Sequence, residues 1–335
     1  MRKRQISSGV HEVVDEFPAV RKMDVTRLLA EIPNTPKRRS RICCHKTNTD
    51  RLHEMFMAFD NTSYFPPSRH IGKEESLHIL EGDGRYVFFD KTGMERDVIE
   101  LGPYGSDYQF YCRIPAGMNH ALEVDSNTMM IQETTTGPFR PEDTVLEPVT
   151  HRAPKSDLRH IRERLAMASI NPEAFTADSS IVSVGMRQIE FLKCRVISSP
   201  RKRVRLCCHK SVEDALHEMF VVYTGQTYVR PNKHIGKDES LHILEGLATF
   251  IFFDDAGNIR EVIPLGPYGS GFPFYVRVPA GCWHTLVMQS DMLVIHESTP
   301  GPFRREDTLW APMEWAPDEA DTSAVIETMN TWRSL

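Results

Sequence analysis

Apolar residues along this chain come in short runs closed by turn-forming residues. EMFMAF, RYVFFD, DVIEL and TMMIQET are punctuated by DKTG, GPYGS and PAG. Runs of this kind at roughly ten-residue spacing predict antiparallel strands folded into a sandwich or barrel. A parallel sheet would need a helix between successive strands, and helical periodicity is missing there. It is confined to the flanks: VTRLLAEI near the start, SDLRHIRERLAMA in the middle and TSAVIETMNTWRSL at the end. INPEAFTADSS, after the middle segment, reads as a turn-rich link.

The strand pattern occurs twice. ICCHKTNTDRLHEMF from Ile42 matches LCCHKSVEDALHEMF from Leu206, and HIGKEESLHILEG from His70 matches HIGKDESLHILEG from His234. The offset of 164 holds without a gap from Pro36/Pro200 to Pro148/Pro312, and about half the aligned positions are identical, which marks a duplicated domain. The expected organisation is an N-terminal segment 1–35 with a short helix, domain one at 36–150, a helical connector at 151–199, domain two at 200–316 and a helical tail at 317–335. The class is all-β: two tandem barrels with short flanking helices, each closing round a small cavity where chemistry is to be sought. The gapless repeat also predicts two superposable domains related by an approximate two-fold axis.

Composition narrows the classes. A length of 335 residues suits two domains. Forty Lys plus Arg against forty-six Asp plus Glu give a net charge of −6, which argues against a nucleic-acid binder needing a basic field. No apolar run is long enough for a membrane span, and the basic start MRKRQISSGVHEVVDEF has no apolar stretch behind it, so a cytoplasmic protein is expected. Seven cysteines outside any CxxC framework suit a reducing compartment. Adjacent Cys43–Cys44 and Cys207–Cys208 point to opposite faces of a strand and read as small buried residues.

Five histidines of the first copy, among fourteen in the chain, recur in the second: His45/His209, His53/His217, His70/His234, His78/His242 and His120/His284. His70 ends a strand, the turn IGKE follows, and Glu75 opens the next strand, so the two side chains converge across a hairpin. His120 follows the Pro-Ala-Gly turn of RIPAGMNH. Two histidines and a carboxylate meeting at one point form a triad that holds a divalent metal with open positions. The second copy supplies His234, Glu239 and His284. The alternative is a barrel that kept these groups for hydrogen bonding in a substrate pocket.

The run from His70 to Glu75 and on to Gly82, followed by Pro115, Gly117 and His120, resembles the paired signature motifs of the cupin superfamily. More narrowly, the Cys and His of ICCHK, LHEM, KxES before HILEG, FFD with a glycine three residues on, PAGxxH and ETTTGPF/ESTPGPF resemble the WbuC-type cupin fold metalloproteins. That resemblance covers both repeats and implies a jelly-roll β-barrel in each, hence a bicupin. It implies a divalent transition metal, Fe(II) first, with Mn, Ni or Zn as alternatives and with one or both barrels loaded. The cupin pattern places a further histidine two residues before His70, where this chain has Ser68, and Asn232 in the second copy. Neither is a strong transition-metal ligand, which leaves a three-ligand site.

Other residues invite roles. Glu133 and Glu297 each end an apolar inward face, where burial raises a carboxyl pKa and suits it to proton transfer; pairing with Arg113 or Arg140 is the structural alternative. His53 and His217, beside Glu54 and Glu218, are candidate catalytic residues with Glu133 and Glu297, as pocket-lining groups that move a proton on a sugar-like substrate; plain core packing is the alternative. Strand alternation turns His78 and His242 outward. PKRRSR and PRKRVR at the domain entrances read as solvated charged edges or as anion-holding clusters. Trp283 beside His284, where copy one has Asn119, predicts differently shaped pockets. Three functions are compatible: an Fe(II) oxygenase or related oxidoreductase on a small molecule; a sugar or sugar-nucleotide isomerase or epimerase of polysaccharide biosynthesis, the setting that the resemblance to WbuC-type proteins implies; and a non-catalytic metal- or sugar-binding module. No nucleic-acid or membrane partner is expected, and the chain is a monomer or homodimer.

Overall fold

The computed structural model describes residues 1–147 and 167–335 and, between them, the backbone of Arg159–His160. The chain forms two compact units: Met1–Asp15 with Met23–Ala166 and Asp178–Gln188, and Glu16–Lys22 with Met167–Ala177 and Ile189–Leu335.

In the first unit an eight-stranded sheet runs Lys3–Ser7, Val10–Val13, Arg39–Cys43, Leu52–Asp60, Thr128–Thr136, Glu75–Glu81, Tyr111–Ile114, Val182–Val184. A six-stranded sheet runs Thr144–Leu146, Ser68–His70, His120–Val124, Gly84–Phe89, Glu95–Leu101, Arg159–His160. Alternate residues of the long strands (Met55, Met57 and Phe59; Leu77 and Ile79; Met129 and Ile131) meet Tyr86, Phe88, Ile99 and Leu122 in one core. Burial of each large side chain contributes about 1.5–3 kcal/mol, and a slip of one residue in any strand would turn its whole apolar set outward. Gly82 ends the strand that carries Glu75: its φ is +82° and a Cβ there would lie 2.3 Å from the Thr128 carbonyl oxygen, so a side chain is excluded on two grounds.

The second unit repeats this plan. Its eight-stranded sheet runs Met167–Asn171, Ala174–Ala177, Arg203–Cys207, Leu216–Thr224, Met292–Pro300, Glu239–Glu245, Tyr275–Val278, Ala19–Val20. Its five-stranded sheet runs Ile259–Leu265, Ala248–Phe253, Trp283–Met288, Asn232–His234, Thr308–Trp310. Both units are jelly-roll barrels with few, short helices.

The duplication in three dimensions is longer than the one in sequence. Hairpins begin at Lys3 and Met167, and helices at Lys22 and Met186, each 164 residues apart. Each hairpin lies parallel to the first strand of its barrel, Val10 opposite Arg41 and Ala174 opposite Arg205. The edge strands are exchanged: Ala19–Val20 pairs with Tyr275–Val278 in the second unit, and Val182–Val184 with Tyr111–Ile114 in the first.

These findings correct the flanks. INPEAFTADSS is not a link but part of the hairpin Met167–Asn171/Ala174–Ala177, because a free sheet edge beside Arg203–Cys207 supplies hydrogen-bond partners that local composition does not announce. The helix expected over SDLRHIRERLAMA falls mostly outside the described residues; at its described positions, Arg159–His160 and Met167 onward, the backbone is strand. The connector's helix is instead Met186–Ile197. VTRLLAEI forms a helical turn over Lys22–Thr26 and a 3-10 turn over Arg27–Ala30. The tail is helical over Thr322–Arg333, capped by Asp321, whose carboxylate accepts from the Ala324 amide at 3.1 Å. Among the described residues no helix is long and apolar enough to cross a membrane.

Candidate metal centre

His70 and Glu75 stand on either side of the IGKE turn. Lys73 anchors that turn to Asp143 at 2.9 Å, and the Ile71 amide donates to the Asp143 carbonyl at 2.8 Å. The PAG turn is tied to the same place, since the Gly117 amide donates to the His70 carbonyl at 2.8 Å. Gly117 has a φ of +77°, which a residue with a Cβ adopts only at a cost. His120 is thereby delivered beside His70.

The three side chains converge. His70 Nε2 lies 2.8 Å from one Glu75 oxygen and His120 Nε2 2.9 Å from the other. In the second barrel His234 and His284 Nε2 lie 3.2 and 3.1 Å from Glu239 Oε2. Each barrel thus brings three ligand atoms within 4.8 Å of one another. The remaining imidazole nitrogens are occupied: His120 Nδ1 donates to the Met118 carbonyl at 2.8 Å and His284 Nδ1 to that of Cys282 at 2.9 Å. A carbonyl only accepts, so Nδ1 carries a proton and Nε2 is the nitrogen turned toward the cluster. His70 and His234 are oriented by the Thr144 and Thr308 hydroxyls at 3.2 and 3.1 Å.

Burial alone would raise the Glu75 pKa, but His120 and His70 outweigh it and hold the carboxyl well below the usual range; His234 and His284 do the same for Glu239. Donating a hydrogen bond to the Glu75 carboxylate raises the His70 pKa against burial, and Glu239 raises that of His234 against a larger burial cost. The donor set is that of a divalent first-row cation. In the second barrel Glu239 Oε2 is buried and receives no aligned hydrogen bond although two imidazoles approach it, which is the situation a cation resolves. The His70 side chain is 23% exposed while that of His120 is 6% exposed, so the cluster meets solvent at His70.

Glu133 shares the interior face, opposite Met55 on one side and Leu77 on the other. Burial and the negative charge of Glu75 push its carboxyl up to about 7, with Arg41, His70 and Arg39 pulling back. Glu297 is likewise raised to about 7 by burial and Glu239. The arginine pairing weighed for Glu133 is absent: Arg113 pairs with Glu74, and neither Glu133 nor Glu297 makes an ion pair among the described residues.

His53 is placed apart from the triad. Thr135 lies between it and Glu75 in the register, and its ring stacks on His45 at 4.0 Å, as His217 does on His209. His78 and His242 point away from Leu77 and Leu241 onto the outer face, 5.3 Å from Phe110 and 5.0 Å from Phe274. Ser68 and Asn232 border the site as the register partners of His120 and His284. Trp283 does not shape the second pocket: it alternates with His284 and packs outside with Ile251, Phe253 and Trp332. Among the differences between the two interiors, two exchange a phenol for a phenyl ring. Tyr86 donates to Glu75 at 3.3 Å in the first barrel, where the second has Phe250 stacked on His284. Conversely, Phe59 of the first barrel becomes Tyr223, whose hydroxyl burial and Glu297 push up. The orienting threonines and Tyr86 were not singled out in the sequence, although Thr144 and Thr308 recur at the same offset.

Residues 20–101 and 187–265 match a family model described as a domain of unknown function, DUF6016. No curated protein matches the chain in sequence. Among solved structures, the salicylate 1,2-dioxygenase of Pseudaminobacter salicylatoxidans aligns with a TM-score of 0.62 at 11% identity, covering 88% of this chain and 88% of that chain. A point variant of that enzyme in complex with gentisate aligns at 0.60 and 11% identity, over 85% of this chain and 82% of that chain. A cupin 2 conserved barrel domain protein from Leptotrichia buccalis aligns at 0.49 and 9% identity, over 78% and 89%. At these identities the likeness is one of fold: two cupin barrels on one chain.

Proposed function

We propose that this bicupin is a metal-dependent enzyme acting on a small molecule, most simply an Fe(II) oxygenase or related oxidoreductase. The observation that carries the proposal is the buried carboxylate of each barrel facing two Nε2 atoms whose opposite nitrogens are already engaged. His70, Glu75 and His120 would hold the metal in the first barrel, and His234, Glu239 and His284 in the second. A cation bound by three protein groups supplies Lewis acidity and open positions for a chelating substrate and dioxygen.

The chain's own residues do the rest. The apolar walls, Met55, Met57, Leu77 and Ile79, exclude water from the reacting end of the substrate. Glu133 and Glu297, poised near neutrality, take or return a proton beside the triad. That poise also supports a second reading, in which the same carboxylates move a proton on a sugar-like substrate, as an isomerase or epimerase of polysaccharide biosynthesis would require. The motif likeness to WbuC-type proteins accords with that setting. The seven free thiols suit a reducing cytoplasm.

Metal analysis of protein purified without oxygen, coupled to dioxygen uptake with candidate metabolites, tests the proposal. Stoichiometric iron with uptake supports the oxygenase; substoichiometric metal refutes it, and bound metal with proton exchange but no uptake favours the isomerase.

A further inference from the structure

Two arginines stand on the first strand of each barrel, Arg39 and Arg203 half-buried and Arg41 and Arg205 exposed. Arg39 lies opposite Phe59 and Arg41 opposite Met57, while Cys43, next on the same face, lies opposite Met55. Cross-strand partners share a face, and Cys43, Met55, Met57 and Phe59 belong to the interior core. Arg39 and Arg41 are therefore rooted on the interior face of the sheet. The Arg39 guanidinium lies 5.4 Å from the ring centre of Phe65, which packs on that core. In the second barrel Arg203 lies opposite Tyr223 and Arg205 opposite Val221, again on the core face.

None of these four guanidiniums makes an ion pair among the described residues, whereas their neighbours do: Arg38 with Asp60, Arg69 with Glu147 at 2.7 Å, Arg85 with Glu123 at 2.8 Å. Arg39 is lowered by burial and then by the like charge of Arg41, two residues along the same strand face. Their field reaches the reaction site. Glu133 feels Arg41 and Arg39 together with Glu75 and His70, and Glu297 feels Arg205 and Arg203 together with Glu239 and His234. Arginine pair and carboxyl thus share one face of one sheet with Glu75, Arg39 and Arg203 half-buried and Arg41 and Arg205 exposed at its rim, an arrangement repeated at an offset of 164.

We propose that each barrel takes a small substrate carrying an oxyanion, a carboxylate or a phosphate monoester, held by Arg39 and Arg41 in the first barrel and by Arg203 and Arg205 in the second, with its reacting end turned toward the triad. A guanidinium presents parallel N–H donors to such a group, and two of them on one face match its several acceptor oxygens. The inference rests on reading the barrel interior as the substrate chamber. It names what enters: an acid, not a neutral sugar.

The test uses the full chain, stripped of metal by a chelator and titrated calorimetrically with malonate, with inorganic phosphate, and with neutral malonamide. Wild-type protein should bind one of the two oxyanions and not malonamide; which one binds identifies the class. The fourfold variant R39Q/R41Q/R203Q/R205Q should weaken binding by about tenfold to a hundredfold, the corresponding Lys variant by less, and either double variant should remove about half the sites. Cobalt(II) titrated into the Gln variants, followed by visible absorption, should bind as in wild type, showing that the barrels stand. Binding of neither oxyanion by wild type, or unchanged binding by the fourfold variant, overturns the inference. Cobalt bound without oxyanion would sink this inference and leave the metal reading intact; oxyanion bound without cobalt would do the reverse.

Discussion

Replacing Glu297 by Gln tests the poise of the interior carboxyl without reference to any substrate. Its folded pKa is about 7 against an ordinary 4.5, raised first by burial and then by the charge of Glu239. The difference of about 2.5 units, at about 1.4 kcal/mol each, corresponds to about 3 kcal/mol. The sign is fixed by linkage: a group whose folded pKa is raised contributes stability that is fully present below 4.5 and is lost as pH rises through about 7. Metal-free wild type should therefore lose about 3 kcal/mol from this group across that window, and Glu297→Gln, which cannot ionise, should not. The four tryptophans, Trp283, Trp310, Trp315 and Trp332, all lie in the second unit, so urea unfolding followed by their fluorescence reports that barrel specifically. The readout is the difference between variant and wild type at pH 4.5 and above pH 7, because His234, raised as well, loses stability over an overlapping range in both proteins. Equal pH dependence in variant and wild type would show that Glu297 is not held neutral, and the proton-transfer role would fall with it.

Other consequences follow from the same geometry. Glu239→Gln keeps the shape but removes the charge that the two histidines face, so cobalt binding to the second barrel should fall by about a hundredfold; an unchanged titration would exclude Glu239 as a ligand. Asn232→His places an imidazole on the register partner of His284; metal affinity should rise and turnover fall as an open position is taken, and a rise in both would contradict the three-ligand reading. Tyr86→Phe removes the hydroxyl donated to Glu75, which should lower first-barrel stability by about 1.5–3 kcal/mol, as for hydrogen bonds to charged groups, while strengthening cobalt binding there; hydrogen exchange on the first unit and competitive titration measure the two, and a loss of affinity would reverse the assignment.

How much of this was legible beforehand depended on how local each signal was. The strand period, the turn residues and the offset of 164 sufficed for an all-β duplicated fold, because alternation and glycine-bearing turns act over a few residues. The triad was readable for the same reason: His70 and Glu75 flank one turn, and His120 follows another. Parity likewise placed Glu133 inward and His78 outward; adjacency to His284 misled at Trp283, where the same parity answers correctly, since His284 and its neighbour cannot both face the interior. Tertiary structure decided the rest. The edge strands Ala19–Val20 and Val182–Val184 carry almost no signal of their own and exist because an exposed sheet edge offers them hydrogen bonds. Thr135 separates His53 from Glu75 only once strands are paired. Arg39 and Arg41 sit in a basic run that looks like a surface, and it is the register against Phe59 and Met57 that roots them on the inner face. Local pattern thus reached the strands inside each repeat and their duplication, but not the flanking hairpins; which residues share a face was set by strand pairing, a relation between segments far apart in the chain that no local pattern encodes.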